Sequence, residues 1–88
     1  MIRREVQINN ELGLHARPAS KVVKIASLSN ADFWIEKDGQ RVNGKSIMGV
    51  MMLAAEKGST IIIEADGDGA EELIDKIERL INNKFCED

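Results

Sequence analysis

Tyrosine is absent from these 88 residues, and the aromatic set is two phenylalanines and one tryptophan. So few rings, with a net charge of −3, fit poorly with nucleic-acid binding, which favours basic surfaces and aromatic stacking platforms. One cysteine is present, Cys86. It cannot close an internal disulfide, and beside a single histidine it cannot build a typical metal centre, so neither a metal nor a cofactor is expected. No apolar run approaches the ~20 residues of a membrane span, so no membrane insertion is expected. No basic-then-apolar leader opens the chain, and the expectation is a cytoplasmic protein. A Walker-type glycine loop is missing, and no Ser-His-Asp arrangement is evident. Without repeats, linkers or low-complexity segments, residues 1–88 read as one small domain around one modest core.

What is present centres on Gly13-Leu14-His15-Ala16-Arg17-Pro18-Ala19, which holds the only histidine and the only proline. Pro18 suits the first turn of a helix, where a missing N–H costs no hydrogen bond. Ala19, Val22, Val23 and Ala26 follow at helical spacing, predicting a helix over about 16–27. Gly13 permits a tight or left-handed backbone just before it. His15 then falls at or next to the N-cap, over unpaired backbone N–H groups and the positive end of the helix dipole. Two readings fit. One is a surface histidine that merely caps a helix, although histidine caps poorly. The other is a nucleophile, uncharged near neutral pH, whose bound phosphoryl group would meet the first-turn N–H groups and Arg17.

Charge is distributed unevenly. Up to position 63 there are nine basic and six acidic residues, and beyond it three basic and nine acidic. The stretches 12–31 and 40–55 contain no acid, while Arg17, Lys21, Lys24, Arg41 and Lys45 lie within them. A basic enclave inside an acidic chain suits phosphate or acidic partner surfaces.

The remaining pattern is mixed. Val6 and Ile8 alternate with polar neighbours as a strand, and Phe33 and Ile35 do the same. Asp38-Gly39 is a strong two-residue hairpin turn leading to Val42. Trp34 is either exposed or partly buried at the sheet edge, with no function assigned. Ser46 is a good N-cap for a helix from Ile47 to about Ala54. Val50, Leu53 and Ala54 share one side of that helix, and Met48, Met51, Met52 and Ala55 the other. Either every face is buried or the methionine side is a soft outward patch, and a domain this small has little interior for the former. Thr60–Ala65 reads as a central strand. Asp68 with Glu71 forms a capping-box-like start to a helix whose stripe is Leu73, Ile74, Ile77, Leu80 and Ile81.

Gly13–Ala19 closely resembles the active-site motif of the HPr family, the histidine-containing phosphocarriers of the bacterial phosphoenolpyruvate:sugar phosphotransferase system. Lys45-Ser46-Ile47-Met48-Gly49-Val50-Met51 resembles the same family's second signature, around a regulatory serine. The likeness spans nearly the whole chain. It implies an α+β, open-faced β-sandwich, with a four-stranded antiparallel sheet and three helices on one face in the order βαββαβα. It also implies that His15 takes a phosphoryl group from phospho-enzyme I and passes it to a histidine of an enzyme IIA domain. Arg17 and the N–H groups of Ala16 and Arg17 would hold the oxygens. Leu14, Ser20, Lys24, Ile47, Met48 and Met51 are candidates for the docking face of a monomeric carrier, rather than of a free-standing enzyme.

Ser46 is either an N-cap alone or the target of an HPr kinase/phosphorylase. The family often carries Asn or Ser just before the motif's glycine, whereas Leu12 stands there in this chain and supplies no side-chain hydrogen bond to phosphate. The alternative function is a regulatory protein-binding module, of the nitrogen-related branch or gated at Ser46, that acts by contact.

Overall fold

Alternation of side chains decides the sheet. In the strand Thr60–Asp66, Ile61, Ile63 and Ala65 are fully buried on one face, Ile62 and Glu64 between them point to the other, half-buried and almost fully buried respectively, and Thr60 and Asp66 at the two ends are exposed. The computed structural model describes residues 1–86. In chain order it contains β1 (Ile2–Gln7), α1 (Ala16–Ser27), β2 (Asp32–Lys37), β3 (Gln40–Asn43), α2 (Ile47–Met52), β4 (Thr60–Asp66), α3 (Ala70–Asn82) and a short 3-10 turn at Lys84–Cys86. The four strands form one sheet in the order β1-β4-β2-β3, and every pair is antiparallel. The fold is the expected α+β open-faced sandwich.

The core lies between one face of the sheet and the helices. Val6, Phe33, Ile35, Ile61 and Ile63 meet Val22, Ile74, Ile77 and Ile81 there. Such burial is the main favourable term in a domain of this size. Arg4 ties β1 to α3 through Asp75 (2.6 Å) and Glu78 (2.9 Å). Asp38 and Gly39 both take positive φ, 52° and 84°, as a tight hairpin turn with right-handed strands demands, and Lys37 pairs with Gln40.

Four sequence expectations need correction or refinement. Asp68 does not cap α3. Gly69 is the N-cap at φ 82°, a left-handed position open to glycine, and its carbonyl accepts from the Leu73 N–H at 2.9 Å. α2 ends at Met52 rather than near Ala54, and Ala54 itself turns to φ 50°. The helical period stops there, so Ala55 is buried and Ala54 exposed, the reverse of a continued helix. Trp34 lies on β2, an inner strand, half-buried on the open face beneath the Arg41 guanidinium (4.1 Å to the ring centre).

Candidate functional site

The segment before α1 is a turn locked at several points. The Gly13 N–H donates to the Asn10 carbonyl (3.3 Å), and the buried Asn10 side-chain amide donates to the Gly13 carbonyl (2.9 Å). The Leu14 N–H donates to the Ala55 carbonyl at 2.8 Å, which pins this turn to the segment that follows α2. Gly13 is required twice over. Its φ is +68°, and a Cβ there would collide with the Ala55 carbonyl oxygen and the Glu56 backbone. The loop from β1 thereby crosses the chain after α2, and His15 comes to lie beside that helix. An exposed pair, Glu11 and Lys57 (2.8 Å), closes the same crossing at its outer edge. The Lys57 ammonium holds the Glu11 carboxyl below the usual carboxylate range.

His15 is the N-cap of α1, with extended backbone (φ −85°, ψ −170°) and no side-chain capping bond. Its carbonyl accepts from the Ala19 N–H at 2.9 Å, so the imidazole is spared the capping task. Pro18 brings no N–H to the first turn. The two remaining donors are the backbone N–H groups of Ala16 and Arg17, and no described group accepts from either. Both residues are exposed. The first turn holds no acid, so nothing on the helix offsets its positive end. One histidine, two open amides and a guanidinium are therefore gathered at one helix terminus. That constellation is suited to an anion carried on the imidazole.

The second motif is next door, because α1 and α2 pack on each other. Ser46 caps α2, its Oγ accepting from the Gly49 N–H at 3.1 Å, and its carbonyl accepts from the Val50 N–H. Lys45 reaches back to the Ser29 carbonyl after α1 (2.9 Å). Val50 and Leu53 face the core, while Ile47, Met48, Met51 and Met52 are exposed. The methionine side is thus outward. Ser20 and Lys24 are exposed on α1.

Leu14 is not on that surface. It is only 3% exposed and belongs to the core, because its N–H bond to Ala55 turns the side chain inward. Its place at the rim is taken by Leu12, the residue that departs from the family's usual Asn or Ser and is 75% exposed. The available signal was a large aliphatic residue inside the polar turn Asn10–Gly13. Met52, on the outward methionine side, is exposed as well and joins the candidate docking residues.

A family model described as the PTS HPr component phosphorylation site matches residues 2–83. The chain is 46% identical over 87 residues to the phosphocarrier protein HPr of Neisseria meningitidis, covering 99% of this chain and 98% of that one. The crystal structure of HPr-C-His from Thermoanaerobacter tengcongensis superposes with a TM-score of 0.96 at 43% identity, covering 100% and 99% of the two chains. The HPr-like protein Crh of Bacillus subtilis is 39% identical over 77 residues, 88% of this chain and 91% of that one.

Proposed function

The chain belongs to the HPr family, and on that premise we propose that it is a phosphocarrier of the phosphotransferase system whose phosphoryl group rides on His15. The donor is phosphorylated enzyme I, and the acceptor is a histidine of an enzyme IIA domain. An imidazole nitrogen of His15 attacks phosphorus as the donor's P–N bond breaks, so one P–N bond replaces another. The chain is needed only to position the group and to meet its charge. The N–H groups of Ala16 and Arg17 receive the equatorial oxygens, and the Arg17 guanidinium adds charge-assisted bonds to them. Imidazole is a good leaving group, which lets the same bond break again at the acceptor.

The observation that carries this reading is the pair of amides at the start of α1, beside His15 and engaged by no described residue. Mixing the protein with enzyme I and radiolabelled phosphoenolpyruvate tests it. Label is expected on the native chain and not on His15→Ala. Equal labelling of both rejects the carrier.

Ser46 is proposed as a second, regulatory phosphorylation site for an HPr kinase/phosphorylase. A phosphate on its Oγ would add close to two negative charges at the start of α2. It would sit well with the helix terminus and badly with an acidic partner arriving over Met48 and Met51. Ser46→Asp should weaken enzyme I binding several-fold, and unchanged affinity counts against regulation.

The proposed carrier acts as a cytoplasmic monomer. Among the described residues no helix is long and apolar enough to cross a membrane. The likeness to Crh and the outward apolar side of α2 favour one further reading, a regulatory module acting by contact. Such a module would keep its partner in His15→Ala and lose it in Met48→Glu.

A further inference from the structure

Leu12 occupies the third position of the turn Asn10–Gly13, whose two internal hydrogen bonds and crossing over Ala55 hold it in a fixed place. A large aliphatic side chain is thus presented rigidly to water, a position at which covering it is favourable and little ordering remains to be done. With His15, Met51, Ala54 and Glu56 it lines a groove of about 260 Å³ alongside the candidate nucleophile. The groove is continuous, through Met51, with the exposed apolar side chains Ile47, Met48 and Met52.

Charge gives the groove a direction. On the α1 side stand the exposed cations Arg17 and Lys24. On the far side stand Glu56, which is exposed, and Glu11, which is paired with Lys57. A protein covering the groove therefore fits best with carboxylates toward α1 and none toward Glu56.

We propose that this groove seats an aliphatic side chain of the acidic, phosphoryl-donating protein, and that Leu12 is a specificity-determining residue for that encounter. The assignment rests on the carrier reading above. It places Leu12 in recognition rather than at the reacting phosphorus, where an aliphatic group offers no hydrogen bond.

Initial rates of label transfer from enzyme I and radiolabelled phosphoenolpyruvate decide it, measured against concentration for the native chain and for Leu12→Asn, Leu12→Ala and Leu12→Met. Because Leu12 is three-quarters exposed, all variants should fold, with melting curves that overlay the native one. For the Asn and Ala variants KM is expected to rise about five- to tenfold with kcat unchanged, as losing most of a covered leucine implies. Leu12→Met should stay close to native, since a flexible thioether fills the same groove. Unchanged KM in Leu12→Asn overturns the proposal. So does a fall in kcat at constant KM, which would move Leu12 to the phosphoryl group itself. Absence of label on the native chain overturns the carrier reading, and the groove's role with it.

Discussion

The open face of the sheet and the His15 end of the helices treat their polar groups in opposite ways. On the sheet, Glu64 is almost fully buried between two guanidiniums, Arg3 on β1 and Arg41 from β3, each at 3.0 Å. Arg41 is also stacked on Trp34. Charge is matched to charge, Arg3 from the adjacent strand β1 and Arg41 from β3, reaching across β2. At the start of α1 two amides and Arg17 sit in the open, and the adjacent surface is aliphatic rather than polar. The first region spends its polar groups on cross-strand pairing. The second keeps its donors for something that arrives from outside. That contrast locates function better than burial or charge alone, because both regions are basic at their rims.

The sharpest break in the comparison is at Gly13. Gly13→Val places a β-branched residue at φ +68° and drives its Cβ into the Ala55 carbonyl. A cost of about 2–5 kcal/mol in stability is expected from backbone strain together with overpacking. Labelling of His15 should fall further than folding alone accounts for, because the crossing that positions the loop is lost. Denaturant melts and labelling rates on the same samples separate the two. A variant that melts like the native protein would show the crossing to be dispensable.

Arg17→Ala comes next. It removes the only side-chain cation of the first turn while leaving the buried residues of α1 untouched. Transfer through His15 should slow about 100-fold, the usual scale for losing one donor to a developing anion. Stability should stay within about 0.5 kcal/mol, as for an exposed position. If transfer is unaffected, the two amides suffice, and the open cation at this end belongs to docking alone.

Glu64→Gln tests the other region. The substitution keeps shape and one acceptor but removes the charge facing Arg3 and Arg41. Both guanidiniums are about half exposed and can rehydrate, so a loss of about 1–2 kcal/mol is expected rather than the larger cost of an orphaned buried ion. Chemical denaturation measures it. Labelling of His15 should not change, and a change would mean that the sheet face and the helix terminus are coupled.

The same contrast explains what could be read from the chain before its structure. Patterns that repeat were legible. Phe33 and Ile35, the Asp38-Gly39 turn and the Leu73–Ile81 stripe each state a period or a turn geometry within a few residues. The open end of α1 was legible too, because proline and glycine announce a helix start by their backbone limits, and the lone histidine falls between them. Features set by crossings were hidden. Leu14 turns inward because of Ala55, forty-one positions away, and no local pattern contains that contact. Ala54 and Ala55 exchange places because α2 stops two residues early. Asp68 lost its capping role to Gly69, whose left-handed φ reaches the start of α3 without a side chain.

The smallest effect concerns the ion pair at the outer edge of that crossing. Lys57 holds the Glu11 carboxyl below its ordinary value, so the folded state binds that proton less readily than the unfolded chain does. The resulting stability is present above the unfolded value and fades as pH falls through the folded one. Native protein should therefore melt slightly above Glu11→Gln near neutral pH, and the two curves should converge in acid. Added salt should narrow the gap, since both partners are more than half exposed. The position of His15 should be indifferent to all of this. It is the Leu14–Ala55 bond and the absence of a Cβ at Gly13 that seat the loop, so labelling rates for Glu11→Gln should match the native chain. A slower rate in that variant would mean the crossing is held by charge instead of by backbone. The helix terminus would then depend on a paired surface in the same way that the sheet does.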